Sequence, residues 1–152
     1  MTETPDLRQG PPRRWNVELD GVAWLPRLID KARAVRAGTL GAYLYGQSPT
    51  DTGLLRVLGM GYRSFLSLVG GAADDAAVSA ALTARDPGWL ARGNAWTADL
   101  RKNHKLFLWL MDLDDGYLTG GRWICPALNG ATAVFTAILK KIVPVPVPEA
   151  PR

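Results

Sequence analysis

The chain has 152 residues, of which 47% are hydrophobic and 21% are charged, and its formal net charge is +4. This length suits one domain, and the hydrophobic share excludes an intrinsically disordered chain. The single cysteine, Cys125, excludes an internal disulfide, and together with the single histidine, His104, it excludes the usual structural zinc sites. The positive charge is mild and is concentrated at the two ends of the chain, so we expect no nucleic-acid binding.

No segment predicts a membrane span or a secretion signal. The longest apolar stretches are residues 106–111 and the interrupted run 126–139, whereas a spanning helix needs about 20 apolar residues. The N-terminal residues have no apolar core behind their charges, as a secretion signal would require. We therefore expect a cytoplasmic protein.

Residues 1–18 are predicted to form an extended arm. Proline or glycine occupies positions 5, 10, 11 and 12, which prevents a regular helix there. The residues best suited to hold the arm against another surface are Arg13, Arg14 and Trp15. The alternative is a mobile tail.

The first predicted helix runs from Leu25 to Ala37. Pro26 suits its first turn and Gly38 suits its C-terminal end. Apolar residues at positions 25, 28, 29, 32 and 35 recur every three or four residues and form one stripe. Asp30 lies three residues from both Arg27 and Arg33, close enough to pair with both. The other faces carry the cations Arg27, Lys31, Arg33 and Arg36.

More helices follow an aromatic loop at residues 41–49 that contains Tyr43 and Tyr45. Their predicted ranges are 52–58, 62–69, 76–84 and 87–100, and residues 106–111 form a buried helical segment that continues or follows the last. Asp51 or Thr52 is expected to cap the first of them, and Asp74 or Asp75 to cap the third. Gly93 is expected to weaken its helix by about 1 kcal/mol relative to alanine. No long stretch alternates apolar and polar residues, so the fold class is mainly α.

The character of the sequence changes after residue 111. Residues 112–121 form an acidic, glycine-rich connection, and an amphipathic helix is predicted over residues 131–142. Proline at alternate positions in the final residues predicts an extended, polyproline-like end. We divide the chain into an N-terminal arm (1–18), a small irregular helical domain (19–121) and a C-terminal extension (122–152). The two terminal segments are proline-rich and extended.

The segment 19–121 resembles an uncharacterised family of small bacterial proteins whose signature is L-P-R-[LM]-I-D-K-x-R. Here the signature reads LPRLIDKAR at residues 25–33. Further similarity lies in GTLGAYLY (38–45), in LLRVLGM (54–60), around Trp96, and in DLDDG (112–116). The resemblance implies a helical domain of unknown function and implies no particular activity. Residues 122–152 do not resemble the family.

The signature helix contains the best candidate for a ligand site. Arg27, Lys31 and Arg33 could together hold a carboxylate or phosphate, since arginine offers a planar fork and lysine a point charge. The alternative is a solvated helix face with ion pairs inside the helix, each worth about 0.3–0.5 kcal/mol.

Other candidates for chemistry favour structural roles. Asp112, Asp114 and Asp115 do not match a calcium loop, because position 12 counted from Asp112 is Trp123 rather than glutamate. We therefore interpret them as a turn capped by carboxylates. His104 lies beside three cations in the sequence, and we interpret it as a surface histidine. We interpret Cys125 as a small apolar side chain that fills space in the core. Since the common catalytic motifs are missing as well, we predict neither an enzyme nor a cofactor or metal site.

The terminal segments instead suggest binding of other proteins. Tryptophan next to arginine is common at interface hot spots, and it occurs in both segments. The predicted partner-binding residues are Arg13, Arg14, Trp15, Arg122, Trp123, Val134, Phe135 and Ile138. The alternative for the tryptophans is that they pin the segments to their own domain.

The leading hypothesis is a non-enzymatic accessory subunit that bridges other chains. It would lie at the cytoplasmic face of an inner or photosynthetic membrane, on an energy-transducing complex such as a reaction centre with its antenna. The alternative is a separate cytosolic domain that binds a small anion through the helix Arg27–Arg33. A third option is that the helix 131–142 lies on an anionic membrane surface.

Overall fold

The structure, a computed structural model, describes residues 4–118 and is mainly helical in that range, as predicted. A hairpin of two short strands, β1 (Glu18–Leu19) and β2 (Val22–Ala23), precedes the helices. The helices are α1 (Leu25–Ala37), α2 (Pro49–Val57), α3 (Tyr62–Gly71), α4 (Asp75–Arg85), α5 (Trp89–Asn103) and α6 (Lys105–Asp114). The predicted helix 131–142 and the proline-rich C-terminal end lie outside the described residues.

The central element is α1, and its observed bounds are those predicted from the sequence. Pro26 occupies the first turn, where a missing amide hydrogen costs no helical hydrogen bond. Gly38 ends the helix with a φ of 70°, a left-handed conformation that glycine adopts without strain. Almost the whole circumference of α1 is buried, including charged positions, so it runs through the core rather than along the surface.

The strand pairing was not predicted from the sequence. β1 and β2 pair antiparallel, with Leu19 opposite Val22, and each strand is too short to show an alternating pattern. The turn between them places Asp20 at φ 52° and Gly21 at φ 81°. The hairpin leads directly into α1 and positions its first turn.

The hairpin also explains why position 93 on α5 is a glycine. The Ala23 amide donates to the hydroxyl of Thr97, 3.0 Å away, which brings α5 against β2. A β-carbon on Gly93 would lie 2.7 Å from Cγ2 of Val22. The expectation that Gly93 simply weakens its helix is therefore incomplete, because its lack of a side chain permits this close packing.

One of the two predicted helix caps is confirmed. Asp74 caps α4, since its carboxylate accepts from the Ala77 amide at 2.8 Å. The prediction for α2 is wrong, because that helix starts earlier and Ser48 is its cap. The Ser48 hydroxyl accepts from the Asp51 amide, which leaves the Asp51 carboxylate free to point into the core.

The described part of the N-terminal arm packs against the domain. It contains no helix or strand before residue 18, as predicted. Leu7 is only 5% exposed, and its amide donates to the Thr39 carbonyl at 3.0 Å. From residue 4 onward the arm is therefore part of the folded domain, and the alternative of a mobile tail does not describe it.

The last two helices are separate elements that meet at His104, the residue between α5 and α6. The sequence had left open whether residues 106–111 continue the preceding helix or follow it, and the structure shows that they follow. No helix within residues 4–118 combines the length and the hydropathy that crossing a bilayer would require.

We predict that Gly93→Ala lowers stability although alanine favours a helix by about 1 kcal/mol. The added methyl group would overlap Val22, and overpacking of this kind costs about 1–3 kcal/mol. Gly53→Ala on α2 is the matched control. A β-carbon added there would lie 3.5 Å from its nearest neighbour, Nε1 of Trp96, which is an ordinary van der Waals distance. Urea unfolding should rank Gly53→Ala at or above the native chain and Gly93→Ala below it. Equal stability of the two variants would contradict this interpretation.

Candidate functional site

Lys31, a member of the predicted anion site, forms an ion pair in the core. Its Nζ lies 2.6 and 2.5 Å from the two carboxylate oxygens of Asp51, and the side chains are 4% and 0% exposed. Asp51 also accepts from Nε1 of Trp24 at 2.8 Å and from the Gly46 amide at 2.9 Å. Burial lowers the pKa of Lys31, Asp51 offsets part of that effect, and the charge on Arg27 adds to it. The ammonium is thus matched to a carboxylate within the chain.

Arg27 is buried in the same way one turn earlier on α1. Its Nη1 and Nη2 donate to the two oxygens of Asp115 at 2.6 and 3.2 Å. The guanidinium carbon lies 5.2 Å from the ring centre of Trp24 and 5.7 Å from that of Tyr43, distances typical of cation–π contacts. Burial, with the charge of Asp115, raises the pKa of Tyr43, so its hydroxyl stays protonated and donates to Asp115.

These contacts show that the alternative of a solvated face is wrong for the first half of α1. Arg27 and Lys31 are each only 3% exposed. They point inward because Trp24, immediately before the helix, lies beside both of them. Long cationic side chains can cover such a ring with their stems while their charges find carboxylates.

The predicted pairing of Asp30 with Arg27 and Arg33 is also wrong. Asp30 instead binds Arg13 of the N-terminal arm, whose Nη2 and Nε lie 2.7 and 2.9 Å from its two oxygens. Arg13 also donates to Asp75 at the start of α4, at 2.5 Å, and Arg33 lies 2.7 Å from the same carboxylate. Local spacing fails here because Arg27 pairs with Asp115 and Arg33 with Asp75, so that the partner of Asp30 comes from the arm.

Arg14 connects the arm to the other side of the domain. Its Nε and Nη2 donate to the two oxygens of Asp112 on α6, at 2.7 and 2.6 Å. Its guanidinium also lies 5.7 Å from the ring centre of Tyr117, whose hydroxyl donates to the Pro12 carbonyl at 3.0 Å. Trp15 packs against the core. These contacts correspond to the alternative that the arm is pinned to its own domain.

The acidic residues near 112–115 serve this pairing. Asp112 and Asp115 accept from Arg14 and Arg27 and close the end of α6 against the arm and α1. Within residues 4–118, no three His, Cys, Asp or Glu side chains form a group able to hold a metal ion. His104 is exposed, with its Nε2 3.9 Å from the Asp99 carboxylate.

The remaining predicted site residues lie outside the described range. They are Arg122, Trp123, Val134, Phe135 and Ile138, and Cys125 lies there as well. Their predicted roles stay predictions.

The structure has an exposed apolar surface that the sequence does not predict. Residues 106–111 were expected to be buried, yet Leu106 is 71% and Trp109 46% exposed. The two residues are three apart on α6 and so share one face. Lys102, at the end of α5, and Lys105 are exposed nearby in the sequence. We call Lys102, Lys105, Leu106 and Trp109 the α6 face.

We predict that Asp51→Asn costs about 3–5 kcal/mol of stability, because it leaves the buried Lys31 ammonium without its counter-charge. Asp86→Asn is the control, since Asp86 pairs with Arg92 at the surface, where a pair is worth about 0–1 kcal/mol. Combining Asp51→Asn with Lys31→Met should restore most of the loss. Urea unfolding measures the stability of all three variants. If the double variant is no more stable than Asp51→Asn alone, the loss is not due to the unpaired charge of Lys31.

We also predict that acid weakens the attachment of the arm. Burial raises the pKa of Asp112, but the hydrogen bonds from Arg14 outweigh it and hold that pKa below its usual range. The pKa of Asp75 is lowered in the same way, by Arg13 and Arg33. A carboxyl with a lowered folded pKa stabilises the fold above its unfolded pKa, about 3.9, and loses that contribution as the pH falls through the folded pKa.

Urea unfolding at pH 7 and pH 3 should therefore show a loss of stability in acid. Asp112→Asn should be less stable than the native chain at pH 7 and should lose less on acidification. If the native chain and Asp112→Asn lose the same unfolding free energy between pH 7 and pH 3, the ion pair of Arg14 with Asp112 does not contribute as described.

Comparison with known proteins assigns a family to most of the chain. No curated protein matches the chain. The sequence profile of a family described as "Domain of unknown function (DUF5069)" matches residues 9–115, well over half of the chain. The match includes Arg13, Arg14 and Trp15 of the arm and extends to Asp115, the partner of Arg27. The prediction of an uncharacterised family is thus confirmed, and the chain belongs to the DUF5069 family.

Proposed function

We propose that this protein is a non-enzymatic accessory subunit that bridges other protein chains, and that the α6 face is one of its contact surfaces. The observation that carries the proposal is the exposure of Leu106 and Trp109 side by side on α6. The other large apolar side chains with notable exposure in residues 4–118 are Val17, Leu90 and Tyr117, each below 40%.

The α6 face has the composition of a protein contact. Full burial of a leucine or a similar large apolar side chain is worth about 1.5–3 kcal/mol, so covering Leu106 and Trp109 supplies a substantial driving force. Tryptophan is enriched among residues that dominate binding energy. Because Lys102 and Lys105 are exposed near this pair, the partner surface that fits is apolar with acidic residues at its rim.

The buried charges of the domain support a binding role rather than catalysis. Asp30, Asp51 and Asp112 each accept hydrogen bonds from arginine or lysine in the same chain. A carboxylate whose oxygens are occupied by a cation of the same chain is not free to bind or orient a substrate. Arg27 and Lys31, two of the three cations of the alternative anion site, are occupied by Asp115 and Asp51.

A bridging subunit needs a second surface, and the C-terminal extension is our candidate for it. Its predicted partner-binding residues begin at Arg122, only a few positions after α6 ends at Asp114. We further propose that the assembly is peripheral to the cytoplasmic face of a membrane and belongs to an energy-transducing complex, such as a photosynthetic reaction centre with its antenna.

The test is the size of the native particle that contains the chain in its own cells. After gentle lysis, the unmodified chain should be found in a large, membrane-associated particle. Leu106→Asp with Trp109→Asp should release it as a free species, because two carboxylates would have to be desolvated at the contact. Leu90→Asp is the matched control, since Leu90 is 38% exposed at the far end of α5.

Four results would contradict the proposal. The first is recovery of the unmodified chain as a free, soluble species, and the second is its release by Leu90→Asp as readily as by the α6 variant. In the purified full-length chain, a shift of the Trp109 indole resonance on Phe135→Asp would show that its own extension covers the α6 face. Binding of the purified chain to anionic vesicles through the α6 face, weakening with salt, would assign that face to lipid instead.

A further inference from the structure

A cavity separate from the α6 face lies beside the C-terminal half of α1. Its volume is about 310 Å³, at the lower end of the range for small-molecule sites. It is lined by Thr4, Arg33, Arg36, Ala37, Val69, Ala72 and Ala73. Two arginines, one hydroxyl and otherwise small or apolar side chains thus surround one concave space.

Arg36 supplies the positive charge of this cavity. Within residues 4–118, no carboxylate forms an ion pair with it, in contrast to Arg13, Arg14, Arg27 and Arg33. Its guanidinium lies directly on the backbone of Gly70 in α3, where a β-carbon would overlap it. A side chain at position 70 would therefore displace the Arg36 fork from its place beside the cavity.

Arg33 adds a second guanidinium whose position is fixed. Its Nη1 lies 2.7 Å from Asp75, whereas its Nη2 is buried and has no hydrogen-bond partner among the described residues. Arg13 and Arg33 together balance the charges of Asp30 and Asp75. Among residues 4–118, Arg36 is then left as a net positive charge, which an incoming anion would neutralise.

We propose that this cavity binds a small organic anion through a carboxylate or phosphate group. The fork of Arg36 donates to the anionic oxygens, and the hydroxyl of Thr4 lies within the same cavity to donate as well. Ala37, Val69 and Ala72 give the cavity an apolar wall for the rest of the ligand. Of the three predicted anion-site residues, Arg33 alone lines this cavity, and Arg36 takes the place of Arg27 and Lys31.

The experiment is a titration of the ¹⁵N-labelled full-length chain followed by NMR. Inorganic phosphate and butyrate serve as separate probes, with sodium chloride at equal ionic strength as the reference. We expect saturable shifts of the Gly70 and Ala72 amides with at least one probe and none with chloride. Phosphate alone would identify a phosphate group, butyrate alone a carboxylate, and both a site that reads only the anionic head.

Paired variants connect the binding to Arg36. Arg36→Ala should weaken binding about tenfold or more, because it removes a charged hydrogen-bond donor, whereas Arg56→Ala on α2 should leave it unchanged. Gly70→Ala should also weaken binding by displacing the guanidinium. Gly71→Ala is its matched control, since a β-carbon there meets no atom within 4 Å.

The inference is overturned if neither probe produces saturable shifts beyond those of chloride. It is also overturned if Arg36→Ala binds as the native chain does, because Arg36 would then serve only the C-terminal end of α1. Equal affinities of Gly70→Ala and Gly71→Ala would contradict the role of Gly70 in holding the arginine.

Discussion

Burying a charge requires a partner of opposite charge, and this requirement organises the domain around α1. Asp30 and Lys31 lie in the core together with Arg27, and each meets a counter-charge from a different part of the chain. Their partners come from the arm, from α2 and from the end of α6. An apolar helix face would accept many neighbours, whereas a buried ammonium or guanidinium accepts only a neighbour that brings a carboxylate. Such pairs add little net stability but strongly disfavour other arrangements.

The same requirement explains why α6 presents an apolar face to solvent. Leu108 and Asp112 lie four residues apart on α6 and are both buried, so this side of the helix faces the domain. Arg14 holds Asp112 there. Leu106 lies on the opposite side of the helix from Leu108, and Trp109 lies at the edge of the buried side, so neither can turn inward without breaking that pair. The exposed face is thus fixed by an ion pair, and only another molecule or a further segment of the chain can cover it.

Local features of the sequence predicted the helices well. The bounds of α1 follow from its apolar period, Pro26 and Gly38, and the cap of α4 follows from Asp74. These signals act within a few residues, so they are readable without knowledge of the fold. The cap of α2 was missed because two plausible residues, Asp51 and Thr52, stood close to the true one, Ser48.

The contacts of the candidate sites could not be predicted because their partners are far apart in the sequence. Arg13 and Asp75 are separated by 62 residues, and no local spacing points to such a pair. One signal was available for Lys31, which follows Leu28 by three residues and precedes Val35 by four. Lys31 therefore lies next to the apolar stripe of α1. A charged side chain in that position is buried and needs a buried partner of opposite charge. Residues 106–111 were assigned to the core because so short a run of large apolar residues hides which side of the helix faces solvent.

The long separations between partners also determine when the domain can be completed during synthesis. Arg27 leaves the ribosome 88 residues before its carboxylate on Asp115, and Arg14 leaves 98 residues before Asp112. At about 5–20 residues per second, several seconds pass in which Arg27 of α1 exists without its counter-charge. The core cannot close around an unpaired guanidinium, so the nascent domain stays open until α6 has emerged. A chain that ended before Asp112 would retain Arg14 and Arg27 but would lack the carboxylates that pair with them.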